Sequence, residues 1–180
     1  MEKLFERILD DDEKIEKVLR PNKCKYFFSN LLLWGLTYGL FLITGLIGVL
    51  ADDYNPIYVL IPIGIWVVMM LFTWLFMAIY YKNLYYAYTN KRIIIRSGIF
   101  GVDFKSLDMS MIGAVNVYVS LVDKILRKDT GSIMFGSTAS PIGGQNAGAG
   151  YRFNHIVAPY ETCKEIKTSI DNYKKTMQSK

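Results

Sequence analysis

Two long stretches of this chain have no charge at all. No Asp, Glu, Lys, Arg or His occurs from Tyr26 to Ala51, or from Ile57 to Tyr81. A helix packed on a soluble protein needs a polar face, and neither run offers one. Other residue types are scarce too. The chain has one histidine, His155, and two cysteines, Cys24 and Cys163. No Ser-His-Asp or Cys-His couple can therefore draw on a second histidine, and no zinc site of the usual Cys/His type can be assembled. Neither a metal nor a cofactor is expected. The Gly-rich segment Gly143 to Gly150 lacks the Lys-Ser/Thr of a phosphate-binding loop and reads as linker. No catalytic residue is expected and the chain is not read as an enzyme.

Each uncharged run is about 25 residues long. At roughly 1.5 Å per helical residue, that exceeds the ~30 Å hydrocarbon core of a bilayer. Only a short link containing Asp52 and Asp53 separates the runs, so the chain must cross and return. Arg20, Lys23 and Lys25 precede the first run, while Lys82, Lys91 and Arg92 follow the second. The positive-inside bias then puts both termini in the cytoplasm and the acidic link outside. A cleaved signal is not expected, because the first 25 residues mix seven acidic with seven basic side chains. In the first span Gly35 and Gly39 form a GxxxG element, a candidate helix-packing face. Pro62 and Gly64 are expected to bend the second span. With no ionisable group inside either span, the hairpin reads as an anchor and not an ion pathway.

Three segments follow: a cytoplasmic lead over 1–25, a transmembrane hairpin over 26–81 (spans 26–51 and 57–81), and a cytoplasmic domain over 82–180. In the lead, the helical spacing of Leu4, Phe5, Ile8 and Leu9 predicts an amphipathic helix over 1–9, docked on the chain's own soluble domain. Past Lys82 the pattern turns to strands: Leu84 to Thr89, Arg92 to Arg96, Val102 to Leu107, Ala114 to Val119, Ser132 to Phe135 and Tyr151 to Ile156. Leu121 to Leu126 reads as a helical turn. A helix from Pro159, with the stripe Cys163, Ile166, Ile170 and Tyr173, ends the chain. The fold class is thus α+β: a two-helix membrane hairpin, then a small β-barrel or sandwich capped by a C-terminal helix.

The ordered set Tyr88-Thr89-Asn90-Lys91-Arg92-Ile93-Ile94-Ile95-Arg96-Ser97-Gly98-Ile99, Leu107 to Ile112, Val115-Asn116-Val117, Ser120 to Leu126, Gly131-Ser132-Ile133 and Phe153 to Pro159 resembles the membrane-associated bacterial pleckstrin-homology-like domains. Glu13 and Pro21 echo an acidic residue and a proline that the family carries before its first span. The resemblance implies a PH-like barrel anchored by the hairpin in the bacterial inner membrane, and implies no settled activity. The Gly-rich stretch 136–150 is longer than the family's usual hairpin and is expected to be a mobile loop. Eukaryotic PH pockets use an open, basic loop between their first two strands, whereas Thr89 to Arg92 reads as a tight turn.

Asp129-Thr130-Gly131-Ser132 matches the short aspartic-protease signature, but that chemistry needs a second Asp sharing a proton, and the motif follows Arg127-Lys128 at a turn. Charge says more. From Lys82 onward there are 14 basic and seven acidic residues, a net charge of +7. Lys124, Arg127 and Lys128, with Arg92 and Arg96, are the candidate lipid- or partner-binding residues. Two readings stand: contact with anionic headgroups, or a solvated face that merely follows the flank bias. No groove for nucleic acid is evident. The expected function is a non-enzymatic, membrane-anchored scaffold that meets a protein partner, a copy of itself or anionic lipid. The alternative is a subunit or regulator of a membrane transport, secretion or envelope-stress complex assembled through its spans.

Overall fold

The computed structural model describes residues 2–51, 59–125, 129–137 and 151–178. Along these run β1 (Ile15–Leu19), α1 (Lys23–Ala51), α2 (Leu60–Asn83), β2 (Tyr85–Thr89), β3 (Arg92–Ser97), β4 (Asp103–Asp108), β5 (Ile112–Tyr118), α3 (Leu121–Ile125), β6 (Thr130–Ser137), β7 (Arg152–Val157) and α4 (Pro159–Gln178). The chain separates into two compact units. Tyr26–Lys82 forms one, and Met1–Lys25 together with Asn83–Lys180 forms the other.

The second unit is α+β, with two antiparallel sheets. One has the order β1-β2-β3-β4 and the other β5-β6-β7. Among the described residues the sheets stay separate and open, so of the two architectures expected the arrangement is sandwich-like. A 3-10 turn at Met109–Met111 separates β4 from β5 and ends the first sheet.

Strand β2 is buried along nearly its whole length and β3 over Ile93, Ile94 and Ile95, because both of their faces are covered. On one face Tyr86 stacks on Phe153 at 4.7 Å, and Phe135 meets the same ring edge-on at 4.9 Å. Ile166 and Ile170 from α4 are buried with them in the domain core. On the other face Ala87 and Ile94 pack around Phe5, which is fully buried. Double coverage explains why these two strands read as continuous apolar runs and not as alternation.

The lead departs from expectation in two ways. Instead of a helix over 1–9, it makes two 3-10 turns, Glu2–Leu4 and Glu6–Ile8, with Phe5 between them. Nine residues are too few to sustain a helix alone, and the turns let Phe5 insert beside Phe104, ring centroids 6.2 Å apart. Docking on the chain's own domain is as expected. The lead also supplies β1, which pairs with β2 through Val18 opposite Ala87 and Leu19 opposite Tyr86. It is an edge strand whose Glu16 and Lys17 suit an exposed margin, and those charges concealed its strand pattern.

This strand changes the topology. The tight turn at Thr89–Arg92 joins the second and third strands, not the first two. The connection between the first two strands is residues 20–84, which contain both apolar helices. The hairpin is thus an insertion inside the domain.

In the other unit, α1 and α2 are each long and apolar enough to cross a membrane. Leu36, Leu40 and Phe41 on α1, and Ile65, Leu71 and Phe72 on α2, are all exposed. Tyr38 Oη lies 3.1 Å from Thr73 Oγ1 between the helices. Pro62 falls in the first turn of α2, where its missing N–H costs no helical hydrogen bond.

Candidate functional site

The register defines two ends of the first sheet. At the exit end lie Leu19, Tyr85 and the Ser97–Asp103 pair, and here the chain leaves for α1 and returns from α2. At the turn end lie Thr89, Arg92 and Asp108. A buried polar network marks each end.

The exit-end network begins with an N-cap. Asn22 Oδ1 accepts the backbone N–H of Lys25 at 3.1 Å, which starts α1. The Lys25 side chain is only 1 % exposed. Its ammonium lies 2.7 Å from Asp123 Oδ1 and donates to Ser120 Oγ at 3.0 Å. Asp123 closes a capping box on α3, accepting from Ser120 N–H at 2.9 Å and from the Ser120 hydroxyl at 2.6 Å. Thr130 Oγ1 donates to its other oxygen at 2.5 Å. Burial alone would raise the Asp123 carboxyl, but the hydrogen bonds from Lys25, Ser120 and Thr130 outweigh it and bring it down to about 2. His155 adjoins this cluster in the left-handed conformation, φ 57°, and its carbonyl accepts Asn22 N–H at 2.7 Å. Burial, reinforced by the Lys25 charge, lowers the His155 imidazole below its ordinary value.

At the turn end Arg92 forks onto Glu13, Nε to Oε1 at 3.0 Å and Nη2 to Oε2 at 2.7 Å, and also donates to the Ile8 carbonyl. Thr89 Oγ1 donates to Glu13 at 2.7 Å. Burial pushes Glu13 up, but the hydrogen bonds from Arg92 and Thr89 hold it below the usual carboxylate range.

The described basic candidates, Arg92, Arg96 and Lys124, lie at different places in the domain. Arg92 is engaged with Glu13 at the turn end. Arg96 is at the exit end, its guanidinium 5.6 Å from the Tyr85 ring, which Arg20 also approaches at 5.0 Å. Lys124 is exposed on α3, next to the Asp123 that holds Lys25. Arg127, Lys128 and most of the Gly-rich stretch 136–150 lie outside the described residues. Of the helix-packing pair, a Cβ on Gly35 would meet Met70 Cε at 3.6 Å, whereas one on Gly39 would meet nothing within 4 Å. Among the α1 glycines the tightest is Gly45, whose Cβ position would lie 3.2 Å from Pro62 Cβ.

Lys25 and Glu13 were missed as buried network members because their partners are distant in sequence. Only Ser120-x-x-Asp123 carried a local signal, the spacing of a capping box.

The protease-like tetrapeptide opens strand β6, with Asp129 at the bend before it. Thr130 binds Asp123, Asp129 is exposed, and a Cβ on Gly131 would press on Pro159 Cγ at 2.9 Å. Among the described residues no group of three or more His, Cys, Asp or Glu side chains is placed to hold a metal. At the turn end a cleft of about 610 Å³ is lined by Asp12, Glu16, Lys91 and Asn172, without a histidine or cysteine.

Compared with known families, residues 38–172 match the bacterial PH domain. The chain belongs to the bacterial PH-domain family. The match runs from within α1 through most of α4, so it takes in the apolar helices as well as β2 to β7. It leaves out β1, although the first sheet of this PH domain includes that strand. No curated protein and no solved structure gives a significant match. PH domains are binding modules, and the match points to no enzymatic family.

Proposed function

We propose that this chain is a membrane-anchored, non-catalytic PH-like binding module, inserted in the bacterial inner membrane by α1 and α2 with both termini cytoplasmic. The observation that supports this most is the position of the hairpin. Two helices with long uncharged stretches and exposed apolar flanks leave and re-enter the domain between adjacent strands. An anchor attached at two neighbouring points limits how far the domain can tumble from the bilayer. A net-basic domain held there is drawn to anionic headgroups by roughly 1 kcal/mol for each well-placed Lys or Arg. Arg96 and Lys124, with Arg127 and Lys128, remain the basic groups proposed for that contact. Extraction of native membranes at alkaline pH tests the anchor: the full chain should stay in the pellet, and release into the supernatant would refute it.

A second reading has one observation in its favour. Gly39 and Gly48 on α1 face open space, which leaves room for a helix of another protein or another copy. In that case the chain is a subunit or regulator of a membrane complex. Replacing Gly39 by Leu should then abolish co-purification of the partner while leaving the anchor in place.

A further inference from the structure

We infer that the exit end of the domain, where the chain leaves for and returns from the hairpin, inserts its own apolar side chains into the bilayer interface, with the β3–β4 connection as the leading element. The inference rests on the membrane-anchored reading and goes beyond it, because it assigns lipid contact to residues outside the apolar helices.

The connection is Gly98-Ile99-Phe100-Gly101-Val102. Its shape is defined. Gly98 has φ 141°, and a Cβ there would collide with the Gly101 carbonyl, so only glycine allows this turn. The turn presents Phe100, which is 96 % exposed, with Ile99 and Val102 also exposed. One exposed Phe would need no explanation, but Ile99, Phe100 and Val102 together make a clustered apolar tip, the kind of surface that marks contact with a membrane or partner.

Its place in the fold says which partner. Asn83 is the last residue of α2, and its Nδ2 donates to the Gly98 carbonyl at 3.1 Å, which ties the loop to the point where the chain re-enters the domain. On the other route, Leu121 is 74 % exposed at the start of α3, two residues from the Asp123 that grips Lys25 in the first turn of α1. Apolar tips thus stand next to both connections to the helices. Basic groups accompany them: Arg20 and Arg96 on the Tyr85 ring, and Lys124 on α3. Exposed apolar tips with cations on the same end of the domain, at the points where the chain leaves for and returns from two apolar helices, suit an anionic membrane surface.

The test places an environment-sensitive NBD label on the full chain in vesicles containing anionic lipid. Cys24 is replaced by Ser, and the buried Cys163 is left in place. Single cysteines go at Phe100, at Leu121, at Leu40 within α1, and at Met177, an exposed position at the turn end. Phe100 and Leu121 are exposed, so neither replacement disturbs packing. The expected result is blue-shifted emission, quenched by doxyl-labelled lipid, at 100, 121 and 40, with an aqueous spectrum at 177. A quenched label at 40 with an aqueous one at 100 overturns the inference and leaves the anchor standing. An aqueous label at 40 overturns the anchor itself. A blue-shifted label at 100 that doxyl lipid does not quench also overturns the inference, since protein and not lipid then covers the loop.

Discussion

The Lys25 ammonium sits 2.7 Å from the Asp123 carboxylate, and the two side chains are 1 % and 4 % exposed. One is in the first turn of α1, the other in the capping box of α3. Removing either partner leaves a charge with too little compensation in a buried place. Asp123→Asn should destabilise the domain by about 3–5 kcal/mol, and Lys25→Met by a comparable amount. The double variant should be less destabilised than the sum of the singles. Denaturant melts of the detergent-solubilised protein report this, and additive losses would mean that the two groups do not interact.

Acidification should act through the same carboxylate. Asp123 is held at about 2 against an ordinary 3.8, so its contribution is complete above about pH 5 and fades as pH falls toward 2. Over that range it supplies about 2 kcal/mol. Glu13, also held low, acts in the same direction. Melting temperature should drop steeply below about pH 4, and Asp123→Asn should flatten that limb.

Arg92 and Arg96 sit on one strand and should behave differently. Arg92→Ala strips Glu13 of its bidentate partner and should cost about 3 kcal/mol or more of stability, with little change in vesicle binding. Arg96→Glu and Lys124→Glu should leave the melt nearly unchanged and weaken recovery with anionic vesicles. Flotation of the hairpin-free domain described next checks this, and equal effects from all three substitutions would contradict the separation of the two ends.

Because β1 and β2 are adjacent and antiparallel, a short Gly/Ser linker in place of residues 26–82 can close them as a hairpin. Residues 1–25 joined in this way to 83–180 should give a soluble folded domain. Residues 83–180 alone should not fold, lacking β1 and the buried Phe5. In the linked form Phe5→Ala should cost about 3–5 kcal/mol. Circular dichroism melts distinguish the two. A stable 83–180 fragment would show that the lead is dispensable.

Much of this architecture was legible in the residues. Uncharged runs set the two helices, and alternation and turn residues located six strands to within a residue or two, as with Arg92–Ser97 and Arg152–Val157. Of the expected stripe on α4, Cys163, Ile166 and Ile170 are buried, and Tyr173 is only half-buried. Family membership followed from an ordered set of short segments, none of them specific alone. What stayed hidden was non-local. Ile15–Leu19 is strand only because β2 offers it a partner 70 residues on, and its interleaved charges erase the apolar pattern. Missing it made the domain appear to follow the hairpin when it encloses the hairpin. Arg92 and Arg96 carry the same charge in sequence, and only the position of Glu13 shows that one of them is already occupied.

The central claim is that α1 and α2 cross the membrane and return, so that both halves of the enclosing domain share the cytoplasm. Cysteine accessibility in intact cells tests it most directly, with single cysteines at Asp53, Glu6 and Met177 in the Cys24→Ser chain. A membrane-impermeant maleimide should label position 53 from outside, and should reach 6 and 177 only after the cells are opened. Labelling of 6 or 177 in intact cells, or protection of 53, would contradict the account.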